Sequence, residues 1–168
     1  GEGSDSDNLG TELNGITFSV TNIDNIRSAA LFDVNTMLAN NPTINYSAGT
    51  ITFSGLSGAN FTAPDNGSKS LMFRVSFDNT VTDKSQMQFT ISEANANVSG
   101  SSFASPNAGG ATSSIVGDRN RIEVVADRLN FTQQPSNTTV FANMPPIIVA
   151  AVDANNNRDI DFSSSISI

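Results

Sequence analysis

The stretch Ser70-Leu71-Met72-Phe73-Arg74-Val75-Ser76-Phe77 decides the fold class. Leu71, Phe73, Val75 and Phe77 recur at every second position and line one face, while Ser70, Arg74 and Ser76 take the other. Successive side chains of a strand point to opposite faces, so this spacing makes one apolar and one polar face. On a helix the same residues would spread around the axis. The pattern recurs on both sides. Ile16, Phe18 and Val20 alternate with Thr17, Ser19 and Thr21, and Ile51 and Phe53 alternate with Thr50, Thr52 and Ser54. Met87, Phe89 and Ile91 alternate with Gln86, Gln88, Thr90 and Ser92, and Ile122, Val124 and Ala126 follow. The spacing predicts an all-β fold, an antiparallel β-sandwich with Greek-key connections, whose core holds Phe18, Phe53, Phe73, Phe77, Phe89 and Ile122.

Turn chemistry separates these runs. Ser47-Ala48-Gly49-Thr50 reads as a hairpin, and Asp65-Asn66-Gly67 and Asp78-Asn79-Thr80 are further turn signals. Ser99 to Gly117 is rich in Ser, Gly, Ala and Asn and reads as a long surface loop. One helical turn is expected over Asn35 to Ala39, ended by Asn40-Asn41-Pro42 because the residue before Pro is pushed out of the helical region.

The last forty residues read as the opening of a second unit. Leu129-Asn130-Phe131-Thr132 is a first strand, and Gln133-Gln134-Pro135-Ser136 is a kink. Ile147 to Val152 is an apolar run expected to be buried on both sides, and Phe162, Ile166 and Ile168 alternate with Asp161, Ser163, Ser165 and Ser167. A complete immunoglobulin-like sandwich takes about 7 strands. The reading is therefore a β-sandwich repeat domain over 1–127, lacking its first strand, then the N-terminal part of an immunoglobulin-like domain over 128–168. The joint falls at Asp127-Arg128.

Composition narrows function. The 168 residues carry 16 acidic and 8 basic side chains, for a formal charge of -8. No basic stripe exists for a nucleic-acid backbone. With no His and no Cys, triads, Cys-His pairs, thiolate sites and disulfides are excluded. No apolar run approaches the ~20 residues of a membrane span. No secretory leader is visible, so the stretch reads as mature or internal. Glu93 and Glu123 are the formal candidates for a two-carboxylate glycosidase, with no motif around them. Without Trp, and with Tyr46 the single Tyr, platforms for stacking sugars are few.

The best cation candidate is Asp153-Ala154-Asn155-Asn156-Asn157-Arg158-Asp159-Ile160-Asp161. Oxygen side chains at Asp153, Asn155, Asn157, Asp159 and Asp161 suit calcium. The match to a helix-loop-helix calcium loop fails at Arg158, where Gly is needed, and at Ser164, where the bidentate Glu belongs. The competing reading is an Asn-rich turn between strands. Asp5-Ser6-Asp7-Asn8 is a second acidic cluster.

Several stretches carry a family resemblance. They are Gly15-Ile16-Thr17-Phe18-Ser19-Val20, Asn25 to Asp33, Thr52 to Gly58 and Gly117-Asp118-Arg119-Asn120-Arg121-Ile122-Glu123-Val124. They resemble a repeat of very large surface proteins of Bacteroidota, including gliding-motility adhesins exported by the type IX secretion system. Phe131-Thr132-Gln133-Gln134-Pro135-Ser136-Asn137-Thr138 looks like the opening of their adjoining immunoglobulin-like units. The resemblance implies a non-enzymatic structural or adhesive segment of an extracellular, cell-surface fibre serving adhesion or gliding. Its expected partners are adjacent repeats or neighbouring copies, and secretion machinery or a surface anchor; no nucleic acid and no membrane insertion are expected. Two alternatives stand beside it: a carbohydrate-binding or scaffold module of a secreted enzyme, and a filament subunit completed by strand exchange with a neighbour.

Overall fold

The structure is a computed structural model and describes residues 7–117 and 119–166. It is an all-β antiparallel sandwich protein. Its contacts divide the chain into two units, Gly1–Asp78 with Gln86–Asn120, and Asn79–Ser85 with Arg121–Ile168. The chain thus passes between units at 78/79, 85/86 and 120/121. The sequence reading placed one joint, at Asp127-Arg128.

The first unit holds β1 (Thr11–Val20), β2 (Ile26–Asp33), β3 (Thr36–Ala39), β4 (Thr43–Asn45), β5 (Thr50–Ser54), β6 (Thr62–Ala63), β7 (Met72–Phe77) and β8 (Phe89–Ala96). One sheet runs β4-β5-β1-β8, with β6 on the first residues of β1; the other runs β3-β2-β7. The chain after β8 returns along its outer edge, where Ile91 N–H donates to Ala111 O at 2.9 Å and Ser113 N–H to Phe89 O at 2.8 Å. The order of the first sheet corresponds to strands D-E-B-A of the immunoglobulin sandwich, and that of the second to C′-C-F. Among the described residues no strand occupies the G position beside β7.

Phenylalanines join the two sheets. Phe73 of β7 stacks on Phe18 of β1 at 4.3 Å between centroids and meets Phe53 and Phe89 edge-on at 6.2 and 5.4 Å. Ile26, Leu31, Ile51 and Phe53 are buried around them. In β1 the buried set is Thr11, Leu13 and Gly15, then Phe18 and Val20. The inward side chains change parity from Thr11 and Leu13 to Ile16 and Phe18, all on one cavity, at the register shift between Leu13 and Gly15 against β8, where Asn14 is the extra residue of a β-bulge; at the shift between Thr17 and Phe18 the extra residue is Ser92 of β8.

Three expectations need correction here. Asn35 to Ala39 is not a helical turn: Thr36–Ala39 is β3, paired with β2 through Asp33↔Thr36 and Phe32↔Met37. A single turn fixes several dihedrals for one hydrogen bond, whereas hairpin pairing supplies a whole ladder. Val34, at φ 53, makes the tight turn, and Arg74 fastens it by donating to Val34 O at 2.9 Å. Phe77 is 40% exposed, so it lies outside the core that Phe73 anchors. Ile122 is buried as expected, but in the second unit.

The second unit has one antiparallel pair, β9 (Arg128–Gln133) with β10 (Ile148–Val152). The run Ile147 to Val152 is only half buried: Ala150, Ala151 and Val152 are covered, whereas Ile147, Ile148 and Val149 are exposed. The expected last strand does not form over the described residues 162–166, and Ser167 and Ile168 lie outside them. Ile122 and Val124 keep their alternation of burial outside the named strands; Ile122 N–H donates to Ser85 O and Ile122 O accepts Lys84 N–H, both at 3.0 Å.

Candidate functional site

The densest polar cluster lies in the second unit, around the segment 79–85 that links β7 to β8. Asp83 is 5% exposed. One of its oxygens accepts the N–H groups of Val124 and Lys84, and the other that of Ile160, each at 2.9 Å. Burial pushes its pKa up, but these three donors and the Lys84 charge outweigh that and hold the carboxyl below its ordinary value. Asp159 Oδ2 accepts the N–H of Ala126 at 3.1 Å, and its buried Oδ1 has no partner. Asp161 pairs with Lys84, which also donates to both oxygens of Glu123 at 2.9 and 3.0 Å. Hydrogen bonds to Asp161 and Glu123 raise the Lys84 pKa, and the bond to Lys84 lowers that of Asp161.

The five calcium candidates divide between two arrangements. Asp153 Oδ1 accepts the N–H groups of Asn155 and Asn157 at 2.9 and 2.8 Å, which closes a turn on itself. Burial pushes Asp153 up, but the Asn157 side chain and these N–H groups win and hold it below its ordinary value. Asn157 is buried; its Oδ1 accepts Val81 N–H and its Nδ2 donates to Asn79 O, both at 2.9 Å. Asn155 is exposed, and Asn156 takes the left-handed turn position at φ 68. Asp159 and Asp161 instead join Asp83, with one oxygen of each within 4.8 Å of the others. Residues 79–83 are thus bound to 153–160 by side chains that meet backbone groups: Asn157 accepts Val81 N–H and donates to Asn79 O, and Asp83 accepts Ile160 N–H.

Sequence reasoning missed Asp83. Its partners Val124 and Ile160 are 41 and 77 positions away, and no local spacing signals such a pairing. A buried, ionised Asp between Thr82 and Lys84 reads in sequence as a solvated turn.

The glycosidase candidates are placed differently. Glu123 is held by Lys84 and by Arg121 at 3.1 Å, and Glu93 lies exposed on β8, accepting from Asn95 at 3.1 Å. In the acidic N-terminal cluster, Asp5 and Ser6 lie outside the described residues; Asp7 accepts Leu9 N–H and the Ser101 hydroxyl, both at 2.7 Å. No helix among the described residues is long and apolar enough to cross a membrane.

Among the cavities of the first unit, two of about 390 and 430 Å³ are both lined by Phe18, Phe73 and Ile91. One extends past Leu71 to Phe103, and the other past Val75 to Ser113. Lys69, at the rim of the first, is paired with Asp33 at 2.6 Å.

Comparison with protein-family models, curated proteins and solved structures finds no match for this chain. Function therefore rests on the residues and their geometry.

Proposed function

We propose that the chain is a non-enzymatic structural and adhesive segment of a large extracellular fibre at a bacterial cell surface, of the kind used in adhesion or gliding by Bacteroidota. The observation that carries this reading is the interleaving of its two β-units. The chain passes between them three times, so tension reaches each unit through several covalent connections. Side chains of the second unit then bind the returning segment 79–85 through its backbone, with Asp83 and Asn157 as fasteners. Asp83, Asp153 and Asn157 are spent on backbone groups, and Asp161 and Glu123 on the Lys84 side chain. A role in holding shape follows more directly from this than turnover of a substrate.

The repeat resemblance of Gly15–Val20 and Gly117–Val124 supports the same reading. Partners would be neighbouring repeats and the export or anchoring apparatus. The test is immunolabelling of intact cells of the source organism with antibodies to this chain, together with surface-attachment assays on a deletion strain. Labelling confined to permeabilised cells, or unchanged attachment, would sink the proposal. A glycan array probes the alternative of a carbohydrate-binding module; specific sugar binding by the intact chain would favour that alternative.

A further inference from the structure

The sandwich of the first unit is one row short. Its first sheet continues past β1 through β8 to the return at 111–113, while the second sheet ends at β7. The two cavities lie along that ending, since Leu71, Phe73 and Val75 line them in turn. β7 has a ladder partner on the β2 side alone among the described residues. In the immunoglobulin order this is the place of the seventh strand, G beside F.

Two independent demands define the occupant. The outer edge of β7 presents a row of main-chain N–H and C=O groups, which another extended backbone satisfies and a lipid or small apolar molecule does not. The cavities then set the side chains. One is bounded by Leu71 and the other by Val75, and between them Phe73 meets Phe89 at 5.4 Å. A strand lying beside β7 sends every second residue inward. The groove therefore calls for two large apolar residues four positions apart, with a small one between them at the Phe73 pinch.

The chain itself carries this pattern in Phe162-Ser163-Ser164-Ser165-Ile166. Residues 162–166 belong to no strand, and Phe162 and Ile166 are 38% and 53% exposed, bordering a shallow depression with Ala126 and Leu129. We infer that the segment around Phe162–Ile166 of a second copy adds to β7 as the absent strand. Phe162 and Ile166 fill the two cavities, and Ser164 faces Phe73. Donor and acceptor are different surfaces, so the contact is heterologous and propagates from copy to copy unless a ring closes. This assembly goes beyond the fibre role proposed above and does not depend on it.

The test uses the intact chain in sedimentation velocity over a wide concentration range. Its mean mass should rise with concentration, and a donor-dead Phe162→Asp/Ile166→Asp variant, checked as folded by circular dichroism, should stay monomeric. A synthetic peptide of residues 160–168 should bind that variant, raise its Tm and dissociate assemblies of the parent chain; the same peptide with both Asp substitutions should do none of these. Assembly of the donor-dead variant like the parent overturns the inference, as does a monomeric parent indifferent to the peptide. Equal binding of an unrelated alternating Val/Ser peptide also overturns it, by assigning the groove to some other strand. A monomeric chain would leave surface labelling unaffected, so the two proposals fail separately.

Discussion

Phe73 and Asp83 show the residue scale from opposite sides. Phe73 was legible because period-2 spacing puts it on the apolar face, and the ring cluster with Phe18, Phe53 and Phe89 follows from that face. What spacing does not reveal is depth: Phe77 shares the parity of Phe73 yet is exposed. Phe53→Ala should cost about 3–5 kcal/mol in chemical denaturation, Phe73→Ala about 2–3 and Phe77→Ala under about 1. An equal loss at all three would contradict this ranking. Asp83→Ala strands three backbone donors and should cost about 2–4 kcal/mol. The pH dependence has a definite sign. The carboxyls of Asp83, Asp153 and Asp161 lie below their ordinary 3.8 when folded, so their contribution is complete above that pH and is lost as pH falls through the lower folded values. Lys84, raised above 10.5, contributes fully below that pH and loses its share as pH rises through the higher folded value. Thermal melts should therefore hold a plateau between these limits, fall in acid below about pH 4, and fall less steeply in Asp83→Asn. An acid limb of equal slope in the variant would refute the assignment.

Among elements, the strands were readable and their interruptions were not. Alternation located β1, β5, β7 and β8, and Ser47-Ala48-Gly49-Thr50 does form the β4–β5 hairpin, with Gly49 at φ 66. The bulge in β1 adds Asn14 and moves the inward side chains from Thr11 and Leu13 to Ile16 and Phe18, a change that alternation alone does not announce. β3 escaped notice because its turn places a β-branched Val34 at positive φ, where Gly or Asn would be the usual sign. Arg74 compensates from the neighbouring strand by binding Val34 O and the Asn35 side chain while its guanidinium lies 4.4 Å from the Phe32 ring centroid. Arg74→Ala should cost about 1–2 kcal/mol, and Val34→Gly should offset part of that loss. Unfolding of the double variant at the midpoint of the single would show that the turn does not use this support.

For the whole molecule, the sequence suggested two β-units and a joint, and the contacts place the divisions elsewhere. A linker search follows composition along the chain, whereas 79–85 is assigned by contacts with residues far along it. The cation site shows the same limit: alternate oxygens from Asp153 to Asp161 looked like one ligand set, but the fold sends Asp159 and Asp161 to Asp83 and closes Asp153 on its own turn. A fragment of residues 121–168 should lack cooperative unfolding by circular dichroism, because it omits the stretch that carries Asp83 and Asn79. Addition of a peptide of residues 78–86 should restore a transition; a fragment that melts cooperatively alone would overturn this. The interleaving also bears on inheritance. A crossover at any of the three junctions divides at least one of the units, and a contiguous stretch that holds all of either one carries part of the other with it. Only exchange of both together leaves both whole.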